Sequence, residues 1–234
     1  MTQSDFPRFR AVAGHAVLVE LAGTASPATT NRLRDLDAAL AHAPLPGVVE
    51  AVPATVSLLV VFDPGKTDHR AVTQGLRALL ARPGTVPRPA PALHQVALCH
   101  DADLAPDLAP DLAEVARLTG LAPQAVIAAH LAATFQVQFY GFAPGYAYLS
   151  GLPAALHLPR KPAARRAVPA GSVIIAGGHC LITTLTMPTG WWIIGRTTTR
   201  ILRDDPARPF LFDLGDTVRF HPISRAAFDA GQGA

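Results

Sequence analysis

Aromatic side chains are concentrated in one short segment of this sequence. Residues 135–152, FQVQFYGFAPGYAYLSGL, hold six of them, including all three tyrosines. The turn Gly-Phe-Ala-Pro-Gly-Tyr within this segment combines two glycines and a proline, which predicts an irregular backbone at Phe142, Pro144, Gly145 and Tyr146. We interpret this turn as the rim of a binding pocket. An ordinary turn with packed rings stays open as the alternative, because aromatic side chains serve cores and binding sites alike.

Two later segments add residues that suit the same pocket. Arg160 and Arg165 lie in LPRKPAARRAVPAGSV, where guanidinium groups can bind a carboxylate or a phosphate. The segment IAGGHCLITTLTMPTGWWIIGRT adds two glycines that allow a ligand close to the backbone, a titratable histidine, an aromatic ring and a further cation: Gly177, Gly178, His179, Trp191 and Arg196. His179 is the candidate catalytic acid or base, although a lone histidine is more often structural.

Two other patterns carry less weight. Asp63–Thr67 ends in Gly-Lys-Thr like a phosphate-binding loop, but the glycine that such a loop needs five residues before Gly65 is Val60 here. The helix pair PDLAEVARLTGLAPQAVIAAHLA has the outline of a helix-turn-helix. Its second helix, however, offers almost no side chain that could read a base edge, so we expect two packed helices instead.

Composition and charge exclude several classes of protein. A formal net charge of +3 is too small to indicate nucleic-acid binding. No run reaches the ~18 apolar residues of a membrane helix, and the start MTQSDFPRF lacks the apolar stretch of a signal peptide, so we expect a cytoplasmic protein. The two cysteines make no disulfide framework. The Cys-His pairs at 99–100 and 179–180 lack the spacing of chelating loops, so we expect no metal site.

The elements that must position these residues fall into two predicted domains. Residues 1–82 follow the order β-β-α-β-β-α, which predicts a small α+β domain with Ser26 and Asp68 as helix caps. A Pro-rich linker covers residues 83–92. Residues 93–234 contain a helical insert near 107–132 and then many short strands without helices between them, which favours a barrel or a sandwich.

The strand that leads into the aromatic turn alternates in polarity. Alternation predicts that one face belongs to the core and the other is polar. The core set is Phe135, Val137 and Phe139, and the polar set is Gln136, Gln138 and Tyr140.

The order of the motifs resembles a known family. GFAPGYAYLSGL, then PR…R..VPAGSV, then IAGG and P.GWWIIGRT are similar to the signatures of allophanate hydrolase subunit 1, also known as the B subunit of 5-oxoprolinase, a family that includes a kinase-inhibitor protein of sporulating bacteria. The similarity extends over the whole chain, from RFRAVAGHAVLVEL to LGDTVRFHPI. It implies a carboxyltransferase domain of subdomains C and D: an α+β N-terminal domain followed by a mainly-β, cyclophilin-like barrel.

The resemblance also implies a function and partners. Members act as subunits of an ATP-dependent hydrolase that opens 5-oxoproline to glutamate, together with a homologous second subunit and a LamB/YcsF-type protein. ATP, with Mg²⁺, would act at the level of the complex, and no tightly bound cofactor is expected in this chain. The alternatives are a regulatory protein that inhibits a sensor histidine kinase, a purely structural companion of a partner, or an allophanate- or urea-type carboxyltransferase-related subunit with a changed substrate.

The family pattern is retained at some site positions and lost at others. His179-Cys180-Leu181 stands where the family usually has Gln-Thr-Gly, and Ala167 replaces a frequent arginine. Because such changes fall where a pocket would lie, a changed substrate, or a lost activity with binding retained, stays open. The positions that match are candidate substrate- or nucleotide-binding residues, as is Tyr146: Phe142, Pro144, Gly145, Arg160, Arg165, Gly177, Gly178, Trp191 and Arg196.

Overall fold

The computed structural model describes residues 5–82, 90–100 and 107–231. The chain divides into two units, residues 1–90 and residues 91–234. Most of the predicted linker, residues 83–89, lies outside the described residues. Across the described ranges, no helix has the length and apolar character needed to cross a membrane.

The first unit combines a four-stranded antiparallel sheet with two helices. Its strands are hydrogen-bonded in the order β1-β2-β4-β3: β1 (Arg8–Val12), β2 (Ala16–Glu20), β3 (Val48–Pro53) and β4 (Ser57–Phe62). The helices are α1 (Pro27–His42) and α2 (His69–Leu80). Both begin at the predicted caps, because the Ser26 hydroxyl accepts a hydrogen bond from the Thr29 amide and the Asp68 carboxylate accepts one from the Ala71 amide.

The apolar spacing of these elements explains the core of the first unit. Every second residue of β4 is buried, as expected for a strand with one face toward helices. Helix α1 buries leucines three and four positions apart, which lie on one helical face. Together they form one cluster with α2, which includes Leu33, Leu36, Leu40, Leu58, Val60, Phe62, Val72 and Leu76.

The second unit is built on a mostly-β, nearly closed sheet. Its strands are β5 (Leu93–Leu98), β6 (Phe135–Tyr140), β7 (Ala147–Ser150), β8 (Arg165–Val168), β9 (Ser172–Ala176), β10 (His179–Ile182), β11 (Met187–Thr189), β12 (Trp192–Arg196) and β13 (Thr217–Pro222). Seven of them form one sheet in the order β12-β9-β10-β7-β6-β13-β5, and β8 pairs with β11 in a separate ribbon. Just past β5, Cys99 exchanges two backbone hydrogen bonds of 2.8 Å with Arg196 of β12. These bonds join the two edges of the sheet.

Within residues 90–100 and 107–231, three α-helices accompany this sheet. Helices α3 (Leu112–Thr119) and α4 (Pro123–Ala132) contact each other, and α5 (Arg225–Gly231) follows β13. Five buried residues on neighbouring strands pair with one another across the sheet: Val137, Leu149, Cys180, Ile175 and Trp192. Their side chains pack with α3 and α4 in a single core.

The faces predicted for Phe139 and Tyr140 of β6 are wrong, because the strand contains a β-bulge. Val137 pairs with Leu149, whereas Phe139 pairs with Tyr148, so the register shifts by one residue between them. A shift of one residue exchanges the two faces of a strand. Phe139 therefore leaves the core face and stacks on Tyr148 at 4.5 Å, while Tyr140 packs against the core and its hydroxyl donates to the carbonyl of Phe212 at 2.8 Å.

Candidate functional site

A cleft lies on the outer face of the nearly closed sheet. It encloses about 420 Å³ of empty space, including the solvent at its mouth. Its residues come from the aromatic turn, β7, the segment around Arg160, the strands β9 to β11 and the link from β11 to β12: Phe142, Tyr146, Tyr148, Arg160, Ile174, Leu181, Pro188, Thr189, Gly190 and Trp191. Four residues that the sequence singled out, Phe142, Tyr146, Arg160 and Trp191, therefore meet here.

The aromatic turn is held in an unusual backbone conformation. Phe142 has a φ of 74°, and its side chain is 75% exposed at the rim of the cleft. Gly145 has a φ of 73°, and a Cβ at this position would lie 2.8 Å from Leu202. The hydroxyl of Thr184 donates to the carbonyl of Pro144 at 2.6 Å. Pro144 and Gly145 thus shape and anchor the turn, while Phe142 and Tyr146 present their rings.

A cation and an aromatic wall face each other in the cleft. The Arg160 guanidinium lies 5.8 Å from the Trp191 ring centroid, and Tyr148 meets the same ring edge-on at 5.7 Å. Burial, and then the neighbouring Tyr148, raise the pKa of Tyr146, which keeps its phenol neutral. The cleft therefore offers one positive charge, phenol groups and a flat apolar wall. This set suits a small ligand that carries an anionic group.

His179 lies beside the cleft and does not line it. Its Nε2 is 3.3 Å from the Gln138 side-chain oxygen, and its ring is edge-on to Phe139 at 6.3 Å and to Tyr148 at 6.0 Å. Burial, and then the neighbouring His157, lower the pKa of His179, so the neutral imidazole is favoured. Tyr148 is the residue that contacts both His179 and Trp191.

Cys180 points the other way from His179, as adjacent strand residues must. It is fully buried inside the sheet, with its Sγ 3.5 Å from Nε2 of the equally buried His130. Burial raises the pKa of this thiol. Among the described residues, no group of three or more metal-ligating side chains could hold an ion. Cys180 therefore belongs to the core and not to the surface of the cleft.

Four predicted site residues lie elsewhere. Arg165 is exposed, and its backbone pairs with Thr189, which lines the cleft. Gly177 and Gly178 form the β9–β10 turn, where the Gly177 amide donates to the Leu158 carbonyl at 2.7 Å. Arg196 donates to the Ala170 carbonyl at 3.1 Å and lies over the Phe228 ring. None of these four residues lines the cleft.

The VPAGSV motif has a structural explanation. Gly171 has a φ of 81°, and a Cβ there would lie 2.4 Å from the carbonyl of Thr197. The hydroxyls of Ser172 and Thr183 both donate to the Pro169 carbonyl at 2.8 Å. The motif therefore builds a tight turn before β9, whose Ile174 lies on the cleft wall.

Sequence reasoning missed several residues of the cleft. Tyr148 lies in the quoted aromatic segment, two residues after Tyr146, and that proximity is the signal that could have identified it. Thr189 and Gly190 precede Trp191 directly. Behind the cleft lining, Lys161 donates to Asp111 at 2.6 Å across 50 residues of sequence, and no local pattern marks this pair.

Comparison with known proteins assigns the chain to a family. The family model described as carboxyltransferase domain, subdomain C and D, matches residues 7–212. The 5-oxoprolinase B subunit of Bacillus subtilis (strain 168) is 33% identical over 201 residues, which are 80% of this chain and 80% of that protein. The chain belongs to the family of 5-oxoprolinase B subunits.

Solved structures have the same fold. TTHA0988 superposes with a TM-score of 0.75 at 31% identity, over 89% of this chain and 39% of the TTHA0988 chain. This chain therefore spans well under half the length of TTHA0988. The urea amidolyase of K. lactis superposes with a TM-score of 0.77 at 19% identity, over 95% of this chain and 15% of the amidolyase. At that level of identity the likeness concerns the fold alone.

Proposed function

We propose that this chain is the B subunit of a 5-oxoprolinase, a hydrolase that opens the lactam of 5-oxoproline to give glutamate. The observation that carries the proposal is the 33% identity to the 5-oxoprolinase B subunit of B. subtilis across 80% of both chains. In this proposal the complex uses ATP, and the partners are a homologous second subunit and a LamB/YcsF-type protein. The first unit is an α+β domain, and the second is a cyclophilin-like barrel, as the edge-to-edge bonds of Cys99 and Arg196 favour.

The chemistry of the cleft matches the chemistry of this substrate. 5-Oxoproline carries one carboxylate and a compact five-membered ring. Arg160 binds the carboxylate, the neutral Tyr146 phenol donates a hydrogen bond, and the Trp191 ring packs against the lactam. Phe142 at the rim restricts the entry of water. In this division of labour, the chain binds and orients the substrate.

The loop at residues 63–67 does not fit a nucleotide phosphate. In the loop that resembles a phosphate-binding turn, the Asp63 carboxylate already accepts the Gly65 amide at 2.9 Å and lies 3.4 Å from Lys66. That carboxylate would repel a phosphate, and it occupies the amide and the cation that a phosphate would need. In this proposal the nucleotide therefore binds outside this loop.

One observation favours a second candidate function. Phe142 is a large apolar side chain that is 75% exposed on a constrained turn, so a protein docked there would bury apolar surface. A regulatory protein that docks on a sensor kinase would use such a residue without needing turnover. In the enzyme, the same ring would contact the second subunit.

The proposal is tested in the assembled complex. The chain is co-expressed with its cognate second subunit and a LamB/YcsF-type protein, and ATP hydrolysis is measured with and without 5-oxoproline. We expect stimulation by 5-oxoproline with matching release of glutamate. Arg160→Ala should lower this turnover by about 100-fold, while the matched change at the exposed Arg166, Arg166→Ala, should leave it within about twofold. A stable complex without stimulation would refute the enzyme proposal.

A further inference from the structure

A buried ion pair lies directly behind the cationic side of the cleft. Lys161 Nζ is 2.6 Å from Asp111 Oδ2, and the two side chains are only 11% and 13% exposed. Buried ion pairs lose hydration and are weak sources of stability. Their geometry, however, is well defined, because a charge removed from water must keep its partner. This pair therefore fixes the position of whatever is attached to it.

The same carboxylate oxygen is attached to strand β12. The Ile193 amide donates to Asp111 Oδ2 at 2.8 Å, and the Asp111 amide donates to the Ile193 carbonyl at 3.1 Å. Asp111 directly precedes helix α3, and its side chain makes no cap hydrogen bond to that helix. The carboxylate thus joins two separate parts of the chain, the segment of Lys161 and the strand of Ile193.

Two more hydrogen bonds flank the cleft residues themselves. The Trp192 indole donates to the Pro159 carbonyl at 2.7 Å, and the Lys161 amide donates to the Gly190 carbonyl, also at 2.7 Å. The neighbours of Arg160 are therefore bonded to the neighbours of Trp191. The side chains of Lys161 and Trp192 approach each other, with Nζ 5.7 Å from the ring centroid, on the side away from the cleft.

We propose that Asp111, acting through Lys161 and Ile193, is a positioning residue that holds Arg160 and Trp191 at their working separation in the cleft. The backbone at the base of a long arginine side chain must be restrained if the guanidinium is to meet a ligand with defined geometry. The ion pair supplies that restraint at the adjacent backbone. The consequence for catalysis rests on the function proposed above, whereas the consequence for the geometry of the cleft does not.

The test removes both charges at once, so that no lone buried charge is left. The double variant Asp111→Asn/Lys161→Met is compared with Glu114→Gln, which breaks an exposed ion pair with Arg117 on the same helix. In the free chain, ¹⁵N-labelled tryptophan gives two indole signals, and Trp191→Phe identifies which one belongs to Trp191. We expect the double variant to fold and to shift and broaden the Trp191 signal. The Glu114→Gln spectrum should match that of the unchanged protein.

The kinetic measurement uses the assembled complex. Because a displaced Arg160 weakens substrate binding before it affects chemistry, the double variant should raise the KM for 5-oxoproline by about tenfold and change kcat by less than about threefold. Lys161→Arg retains the charge pair and should change the KM by less than about threefold. Should the double variant fail to fold, the same two measurements on Asp111→Asn/Lys161→Gln, which also leaves no lone buried charge, take its place.

Two results would overturn the proposal. An unchanged Trp191 signal in a folded double variant would show that the pair does not position the cleft, whatever the activity of the complex. A lower kcat of the double variant with an unchanged KM would assign Asp111 to general stability instead. If the unchanged complex shows no 5-oxoprolinase activity at all, the proposed function fails, and the indole spectra still decide the inference about Asp111.

Discussion

The buried histidines of the second unit predict a loss of stability in mild acid. His130 is fully buried and His100 is 5% exposed, with their ring centroids 6.1 Å apart. Burial, and for His130 also the neighbouring His100, lower the pKa of His130 to about 3, and burial lowers the pKa of His100 to about 4. Unfolding returns both groups to water, where the pKa is about 6.5. Below that value the unfolded chain therefore binds more protons than the folded chain.

The sign and size of the effect follow from proton linkage. Because the folded pKa is depressed, the stabilisation is present above about pH 6.5 and is lost as the pH falls toward about 4. For each histidine, lowering the pH from about 7.5 to about 5 should reduce the free energy of unfolding by about 2 kcal/mol. The two histidines together should reduce the free energy of unfolding by about 4 kcal/mol over this range. For each histidine, the free energy of unfolding changes by at most about 1.4 kcal/mol per pH unit.

The assay is urea unfolding followed by tryptophan fluorescence. Both tryptophans lie in the second unit, so the signal reports the unit that contains the histidines. His130→Met removes the titrating group at similar volume and should reduce the pH dependence by about 2 kcal/mol. His221→Met, the same substitution at an exposed position of the second unit, serves as the matched control. An equal pH dependence in His130→Met and the unchanged protein would refute the assignment of the effect to the buried imidazole.

Three further predictions concern particular residues. Gly171→Ala should destabilise the second unit by about 3 kcal/mol or more in urea unfolding, since the new Cβ would lie 2.4 Å from the carbonyl oxygen of Thr197. Gly120 has a similar φ but open space around it, so Gly120→Ala should cost only about 1 kcal/mol. Equal costs for the two variants would contradict the steric argument. Cys180 should resist iodoacetamide in the folded protein and react after unfolding, as mass spectrometry would show, because burial raises the pKa of its thiol; rapid labelling of the native chain would contradict its place in the core. Phe142→Ser should change the stability by no more than about 0.5 kcal/mol and yet weaken binding of the second subunit in calorimetry, since the ring is exposed at the cleft rim; unchanged affinity would exclude this residue from the interface.

Local patterns predicted much of the secondary structure correctly. Ser26 and Asp68 cap α1 and α2 as their side-chain chemistry requires, and the leucine spacing of α1 is buried on one face. These features depend on residues within a few positions of one another. The order of the motifs also predicted the family, and the family model that matches residues 7–212 confirms it.

Local patterns predicted the residues of the cleft only in part. Phe142, Tyr146, Arg160 and Trp191 were singled out and do meet in one cleft. Arg196 shares the motif of Trp191, yet it lies over Phe228 instead. The two residues are five positions apart, and a strand rises roughly 3.3 Å per residue, so one motif does not place both side chains in one site.

The sequence by itself determined the helix caps, the tight glycine turns and the family, because each depends on short-range chemistry or on motif order. Only the tertiary structure decided which side chains share the cleft. One extra residue in β6 moved Phe139 to the outer face, and the bond between Asp111 and Lys161 spans 50 positions. Register and long-range pairing are set by the cooperative packing of the whole sheet, and no local pattern of residues encodes them.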